Sequence, residues 1–108
     1  MDSTTLNTID IHAKEWRDRM YGNTYFSARI VLNYAEKDEK TLYIPFMYGG
    51  GNYVEQVALR VLIEDGLFPP EVTSDNLLSL VCRNLDITLR VNHEAGCLQR
   101  EVKAWGKA

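Results

Sequence analysis

The chain has 108 residues, 45% hydrophobic and 25% charged, with a formal net charge of −3 and a pI near 5.3. This size and balance describe one domain, 1–108, with enough apolar material to bury a core unaided, and they exclude a largely disordered chain. The acidic balance argues against nucleic-acid binding through bulk charge, which needs a basic face to release counterions. It suits encounter with a basic partner surface, or solubility alone.

Residues 1–7 are a polar start, expected to fray. From Thr8 the pattern alternates, with Ile9, Ile11 and Ala13 on one face and Asp10, His12 and Lys14 on the other, which predicts a half-buried strand ending near Trp16. Residues 17–23 are a connection in which Gly22-Asn23 supplies the tight turn. Residues 24–33 alternate again, with Phe26, Ala28, Ile30 and Leu32 inward, and the charged segment 34–40 closes a second hairpin. Thr41 opens a third strand in which Leu42, Ile44 and Phe46 are expected to share a face. Pro45 cannot donate to a ladder, so this strand belongs at an edge or carries a bulge.

Gly49-Gly50-Gly51 ends that strand. Asn52 is the expected N-cap of a helix, with Glu55 completing a capping-box pair. Val54, Val57, Ala58, Val61 and Leu62 make a single apolar stripe. Gly66 and Leu67 fit a Schellman end, and Pro69-Pro70 prevents continuation. A second helix, capped by Thr73 or Ser74, is predicted to run to about Arg83 with Leu77, Leu78 and Val81 inward. Ile87, Leu89 and Val91 alternate as a fourth strand, residues 92–96 turn, and residues 98–105 read as a fifth strand with Leu98, Val102 and Ala104 inward. The expected fold is α+β: a mainly antiparallel sheet of about five strands, in the order β-β-β-α-α-β-β, with two helices on one face. The terminal hairpin could instead join a second sheet or pair with another copy in a homodimer.

If successive elements alternate in direction, the 17–23 loop and the triple glycine lie at one end of the domain. That end gathers Arg17, Arg19, Tyr21 and Asn23 with Tyr48, Gly49, Gly50, Gly51, Asn52 and Tyr53, and the fifth strand and second helix would bring Trp105 and Arg83 there. Backbone N–H groups of a glycine-rich turn entering a helix form an anion site, aromatic rings stack on bases and arginine pairs with phosphate. A nucleotide fits that chemistry, although the run GGGNYV is neither a dinucleotide fingerprint nor a Walker loop. The same end also fits a protein interface, since Met20, Tyr21, Met47, Tyr48, Tyr53 and Trp105 are of the types enriched in interface cores. A plain turn beside half-buried sheet tyrosines accounts for the glycines equally well.

Nothing in the spacing of His12, His93, Cys82 and Cys97 places a nucleophile beside a base, so no enzymatic activity is expected. The two cysteines lack CxxC spacing and a histidine pair, and the carboxylates form no metal-ligand pattern, so no metal or other cofactor is expected. Cys82 reads as a buried small hydrophobe. No apolar run of about 20 residues predicts a membrane span, and no secretory segment stands out, so the expected location is the reducing cytoplasm.

Lys14, Trp16 and Gly22-Asn23-Thr24-Tyr25, followed by an alternating strand, then Pro45-Phe46-x-Tyr48-Gly49 and Trp105-Gly106, resemble a group of short proteins of tailed bacteriophages and related mobile elements. The resemblance covers most of the first half and is looser after Phe68. Many members have an aromatic residue after the tryptophan where this chain has Arg17, so the loop surface differs here. No functional residue carries over. The resemblance implies a setting, the cytoplasm of an infected bacterial host, and a role as a counter-defence or host-takeover factor. In that setting the expectation is an inhibitor that binds a host immune component, such as a CRISPR effector, stoichiometrically. The alternative is a sponge that sequesters a nucleotide signal at the glycine end.

Overall fold

A computed structural model describes residues 6–108 of the chain. The elements are β1 (Thr8–Arg17), β2 (Thr24–Leu32), β3 (Lys40–Tyr48), α1 (Tyr53–Glu64), α2 (Leu78–Asn84), β4 (Thr88–Glu94) and α3 (Gln99–Trp105). The class is α+β, with four strands and three helices among the described residues instead of five and two. Of the start expected to fray, residues 1–5 lie outside the described residues. Leu6 packs on the core, and Asn7 donates its N–H to Asn33 Oδ1 while its carbonyl accepts from the Thr88 N–H.

The sheet has the order β3-β2-β1-β4. β1, β2 and β3 form an antiparallel meander, and β4 pairs parallel with β1, so the sheet is mixed. Chain length accounts for this. α1 returns the chain to the starting end of β1, and α2, at 7 residues, spans only about 10 Å, against roughly 33 Å for a ten-residue strand. It cannot carry the chain back along the sheet, so β4 begins beside Asn7 and runs with β1.

The register places Ile9, Ile11, Ala13 and Glu15 opposite Leu32, Ile30, Ala28 and Phe26 on one face, with Leu89, Val91 and His93 beside them. α1 and α2 cover this inner face, and its buried residues form one core with Val54, Val57, Ala58, Leu59, Leu62, Leu78 and Cys82. The α1 stripe is as expected, with Leu59 added and Val61 half-buried. The Schellman end forms too, with the Leu67 N–H donating to the Leu62 carbonyl and the Gly66 N–H to that of Ile63.

Several local expectations are corrected. Asn52 is already helical, at φ −65° and ψ −19°, and makes no side-chain cap bond. The Gly51 N–H is taken instead by Glu15 Oε2 at 3.0 Å. α2 starts at Leu78 because Thr73 and Asn76 close a turn on each other, which leaves Leu77 extended and exposed. Pro45 does lie on an edge strand, and the register shift opposite residues 26–28 is a bulge. That bulge turns Phe46 away from Ile44 and onto the outer face, where it stacks on Tyr25. Residues 98–105 are not a strand. Six of the seven α3 residues, all but Val102, lack β-branching, the Glu101 carboxylate accepts the Leu98 N–H at 2.8 Å, and one apolar residue, Val102, is fully buried.

Burial pushes the Cys82 thiol up from its ordinary 9.0 to about 11. Its neutral form is favoured in the folded state, so this contribution to stability is complete below pH 9 and is lost as pH rises through about 11. Cys82 is therefore expected to resist a thiol reagent at pH 8 until the chain unfolds, as a stopped-flow labelling assay with and without urea would show.

Candidate functional site

α3 crosses the outer face of the sheet and divides it in two. Ser27 is small and buried beneath it, and the Ser27 hydroxyl donates to the Val102 carbonyl. Arg29 Nε donates to the Trp105 carbonyl at 3.0 Å, one of the acceptors that a helix C-terminus leaves open. The Trp105 indole N–H donates to the His12 carbonyl at 2.8 Å, which pins the helix to β1. Gly106 then passes so close to β3 that a Cβ on it would stand 2.7 Å from the Ile44 carbonyl oxygen.

On the glycine side of α3, the outer face is aromatic. Trp16, Tyr25 and Tyr48 form one row across β1, β2 and β3 by register, and the bulge adds Phe46. The Tyr25 and Phe46 rings are parallel within 5° at 5.3 Å, Trp16 lies 5.6 Å from Tyr25, and Tyr48 meets Tyr25 edge-on at 5.7 Å. Trp16, Tyr25 and Phe46 are half-buried and Tyr48 is exposed. The β1–β2 hairpin tip continues the surface with Met20 at 80% and Tyr21 at 74% exposure. Lys103 Nζ stands 5.3 Å over the Phe46 ring, and Arg17 and Arg19 flank the tip. We term this surface the aromatic platform.

The expected meeting of the two loops occurs. The Gly49 N–H donates to the Thr24 carbonyl at 2.9 Å, and Glu15, Gly22, Asn23, Thr24, Tyr48 and Gly49–Gly51 line a shallow depression of about 400 Å³. Gly49 holds φ +128°, and its added Cβ would meet the Tyr53 ring at 2.7 Å, so glycine is required there for both conformation and space. Tyr53 is half-buried, edge-on to Phe26, and belongs to the core instead of the surface. The depression holds the Glu15 carboxylate, bonded to the Gly51 N–H and 3.4 Å from His93 Nδ1. A fixed carboxylate occupies the place an anionic ligand would take and repels it.

The direction count fails after α1. Because β4 runs with β1, residues 92–96 arrive at the glycine end, bringing His93 to Glu15 and the Cys97 N–H to the Glu15 carbonyl. Arg83 precedes β4 and stays at the opposite end. Trp105 does not join the glycine loop: its ring lies over Arg29 at 4.0 Å, with Lys14 at 4.6 Å and His12 at 5.0 Å.

On the other side of α3 lies a recess of about 560 Å³. Its floor is two rows of the sheet, Arg90–Asp10–Val31–Thr41 and His12–Arg29–Tyr43, its wall is Trp105 and its rim Tyr34. Arg90 grips Asp10 with two hydrogen bonds, which hold the guanidinium above its usual range. The His12 hydrogen bond, with Lys14 nearby, holds the Glu94 carboxyl below the usual carboxylate range. Sequence reasoning passes over these residues because they alternate on a face that reads as solvated. The signal was present, since that face carries Trp16, Tyr25 and Tyr43 where purely polar residues would suffice.

Among the described residues, no group of three or more His, Cys, Asp or Glu side chains is placed to hold a metal ion, and no helix is long and apolar enough to cross a membrane. No family model, curated protein or solved structure matches the chain.

Proposed function

We propose that the protein acts by stoichiometric, non-enzymatic binding, with the aromatic platform and the Met20–Tyr21 tip applied to an acidic patch on a partner protein. The observation that carries this reading is the platform itself, in which four aromatic side chains from three adjacent strands sit with solvent-facing surface beside an exposed methionine and tyrosine. Aromatic, Met and Arg side chains dominate interface hot spots, and a rigid sheet holds them at little entropic cost. Arg17, Arg19 and Lys103 give the platform a basic rim although the chain is acidic overall, and this local charge selects the acidic partner surface. The resemblance to phage proteins supplies the partner class, a host-defence protein or complex such as a CRISPR effector, in the cytoplasm of an infected bacterium. Neither cysteine is bonded to a histidine: Cys97 Sγ donates to the Glu94 carbonyl and Cys82 lies in the core. The nucleotide-sponge alternative at the glycine end finds less support, because the Glu15 carboxylate lines that depression and already takes the Gly51 N–H.

The test is capture of a one-to-one complex from host lysate, repeated with Tyr48→Ala and Met20→Ser. Both side chains are exposed, so both variants are expected to fold normally. Each is expected to weaken the complex by about 2 kcal/mol, on the order of thirtyfold in Kd. Tyr34→Ala, at the far end, is expected to leave it unchanged. Wild-type affinity in both platform variants contradicts the assignment.

A further inference from the structure

We infer that the recess behind α3 is a second site, independent of the platform, for a small phosphorylated molecule bearing a planar ring, a nucleoside monophosphate in class. The recess volume of about 560 Å³ falls within the roughly 300–1,000 Å³ usual for small-ligand sites. Its acidic and basic side chains are paired with one exception. Arg90 is bound to Asp10, and His12 faces Glu94. Arg29 has no carboxylate partner among the described residues. Its Nε donates to the Trp105 carbonyl, and its guanidinium lies 4.0 Å from the Trp105 ring centre and 5.5 Å from that of Tyr43.

That arrangement fixes the guanidinium while leaving its two terminal nitrogens without hydrogen-bond partners among the described residues. A half-buried guanidinium anchored through Nε, with its terminal N–H groups uncommitted among the described residues, matches the oxygens of a phosphate. Arg29 also sits at the C-terminal end of α3, where its charge favours the helix, so its placement serves the fold without using up those donors. The remaining lining explains the ring. Val31 and Tyr43 provide an apolar floor, Thr41 a hydroxyl beside it, and Tyr34, 63% exposed, a ring at the mouth. Bare phosphate would leave these surfaces unused, and a ring without phosphate would leave the arginine unpaired. The glycine depression offers the opposite environment, with a carboxylate at its centre. The anion-binding chemistry of this chain therefore lies on the far side of α3 from the loop whose sequence looks like a phosphate cradle.

The two tryptophans separate the sites, since the Trp105 indole N–H is bonded beneath the recess wall and Trp16 belongs to the platform. The ¹⁵N-labelled chain is titrated with AMP, GMP, CMP and UMP in turn, and with adenosine and inorganic phosphate as separate arms. At least one nucleotide is expected to shift the Trp105 indole and Arg29 Nε signals saturably, leaving the Trp16 indole in place, with adenosine and phosphate at least tenfold weaker. Arg29→Gln is expected to weaken that nucleotide at least tenfold. Arg29 also holds α3, so Tyr43→Ala, which removes no hydrogen bond to the helix, is the second variant and is expected to weaken binding at least threefold. The proposal is overturned by no saturable shift with any nucleotide, by shifts confined to Trp16, by phosphate binding as tightly as the nucleotide, or by unchanged affinity in a folded variant.

Discussion

Replacing Gly106 by valine is expected to lift α3 from the sheet. A Cβ at this position would stand 2.7 Å from the Ile44 carbonyl oxygen, 2.8 Å from Ser27 Cβ and 3.0 Å from Pro45 Cα. Two of these three are backbone atoms of β3, which cannot swing aside as a flexible side chain can. The Gly106 backbone, at φ −83°, is ordinary for any residue, so the penalty is steric and not conformational. Overpacking of this kind costs about 1–3 kcal/mol, and valine adds two methyl groups to the same clash. α3 is seven residues long and is anchored through Ser27, Arg29, Val102 and Trp105, so local undocking relieves the clash at lower cost than a shift of β3. The expected result is a melting temperature lower by roughly 5–20 °C, together with loss of the Trp105 indole hydrogen bond in the NMR spectrum. Gly106→Ala should show a smaller shift in the same direction. A valine variant with wild-type melting and an unmoved Trp105 signal contradicts the close approach described here.

Phe26→Ala is expected to be costlier still. Phe26 is fully buried, meets Tyr53 edge-on at 6.3 Å and supports the turn at Gly49, whose Cβ position is 3.4 Å from its ring. Truncation leaves a cavity between the sheet and the start of α1, where Tyr53 can relax only by straining the turn, and losses of this type run to ~3–5 kcal/mol. Total stability for a domain is about 5–15 kcal/mol, so the variant should fold marginally. Urea denaturation is the measurement, with a much lower midpoint at unchanged slope expected. Near-wild-type stability would mean that the unit from β3 to α1 is not seated on β2 as described.

The contrast between these sites and the sequence is instructive. Strands 8–17 and 24–32, the α1 stripe and its Schellman end follow from periodicity and end signals, because each is a local property. Pro45 correctly marks an edge, since its missing donor is local too. The face of Phe46 was not readable, because alternation presumes an unbroken pleat and the bulge resets it. The direction of β4 depends on whether α2 is long enough to recross the sheet, a tertiary matter that apolar spacing does not encode. α3 contains a single fully buried apolar residue, too few to distinguish period two from 3.6. The candidate site divides in the same way. The neighbourhood of Tyr48, Gly49 and Asn23 was inferable from two adjacent hairpins. The pairing of Glu15 with Gly51, the position of Trp105 and the open arginine at position 29 required the completed sheet. In particular, the glycine run promised an anion site whose Gly51 N–H is already taken by a carboxylate three residues before the hairpin turn.

Hydrogen exchange on the captured complex, compared with the free chain, shows which face of the sheet the partner covers. If the aromatic platform is the partner-binding surface, protection rises along residues 16–25 and 46–48 and stays unchanged over α1 and α2. Protection confined to the α1 and α2 surface, with the Trp16, Tyr25 and Tyr48 segments exchanging as in the free protein, contradicts it.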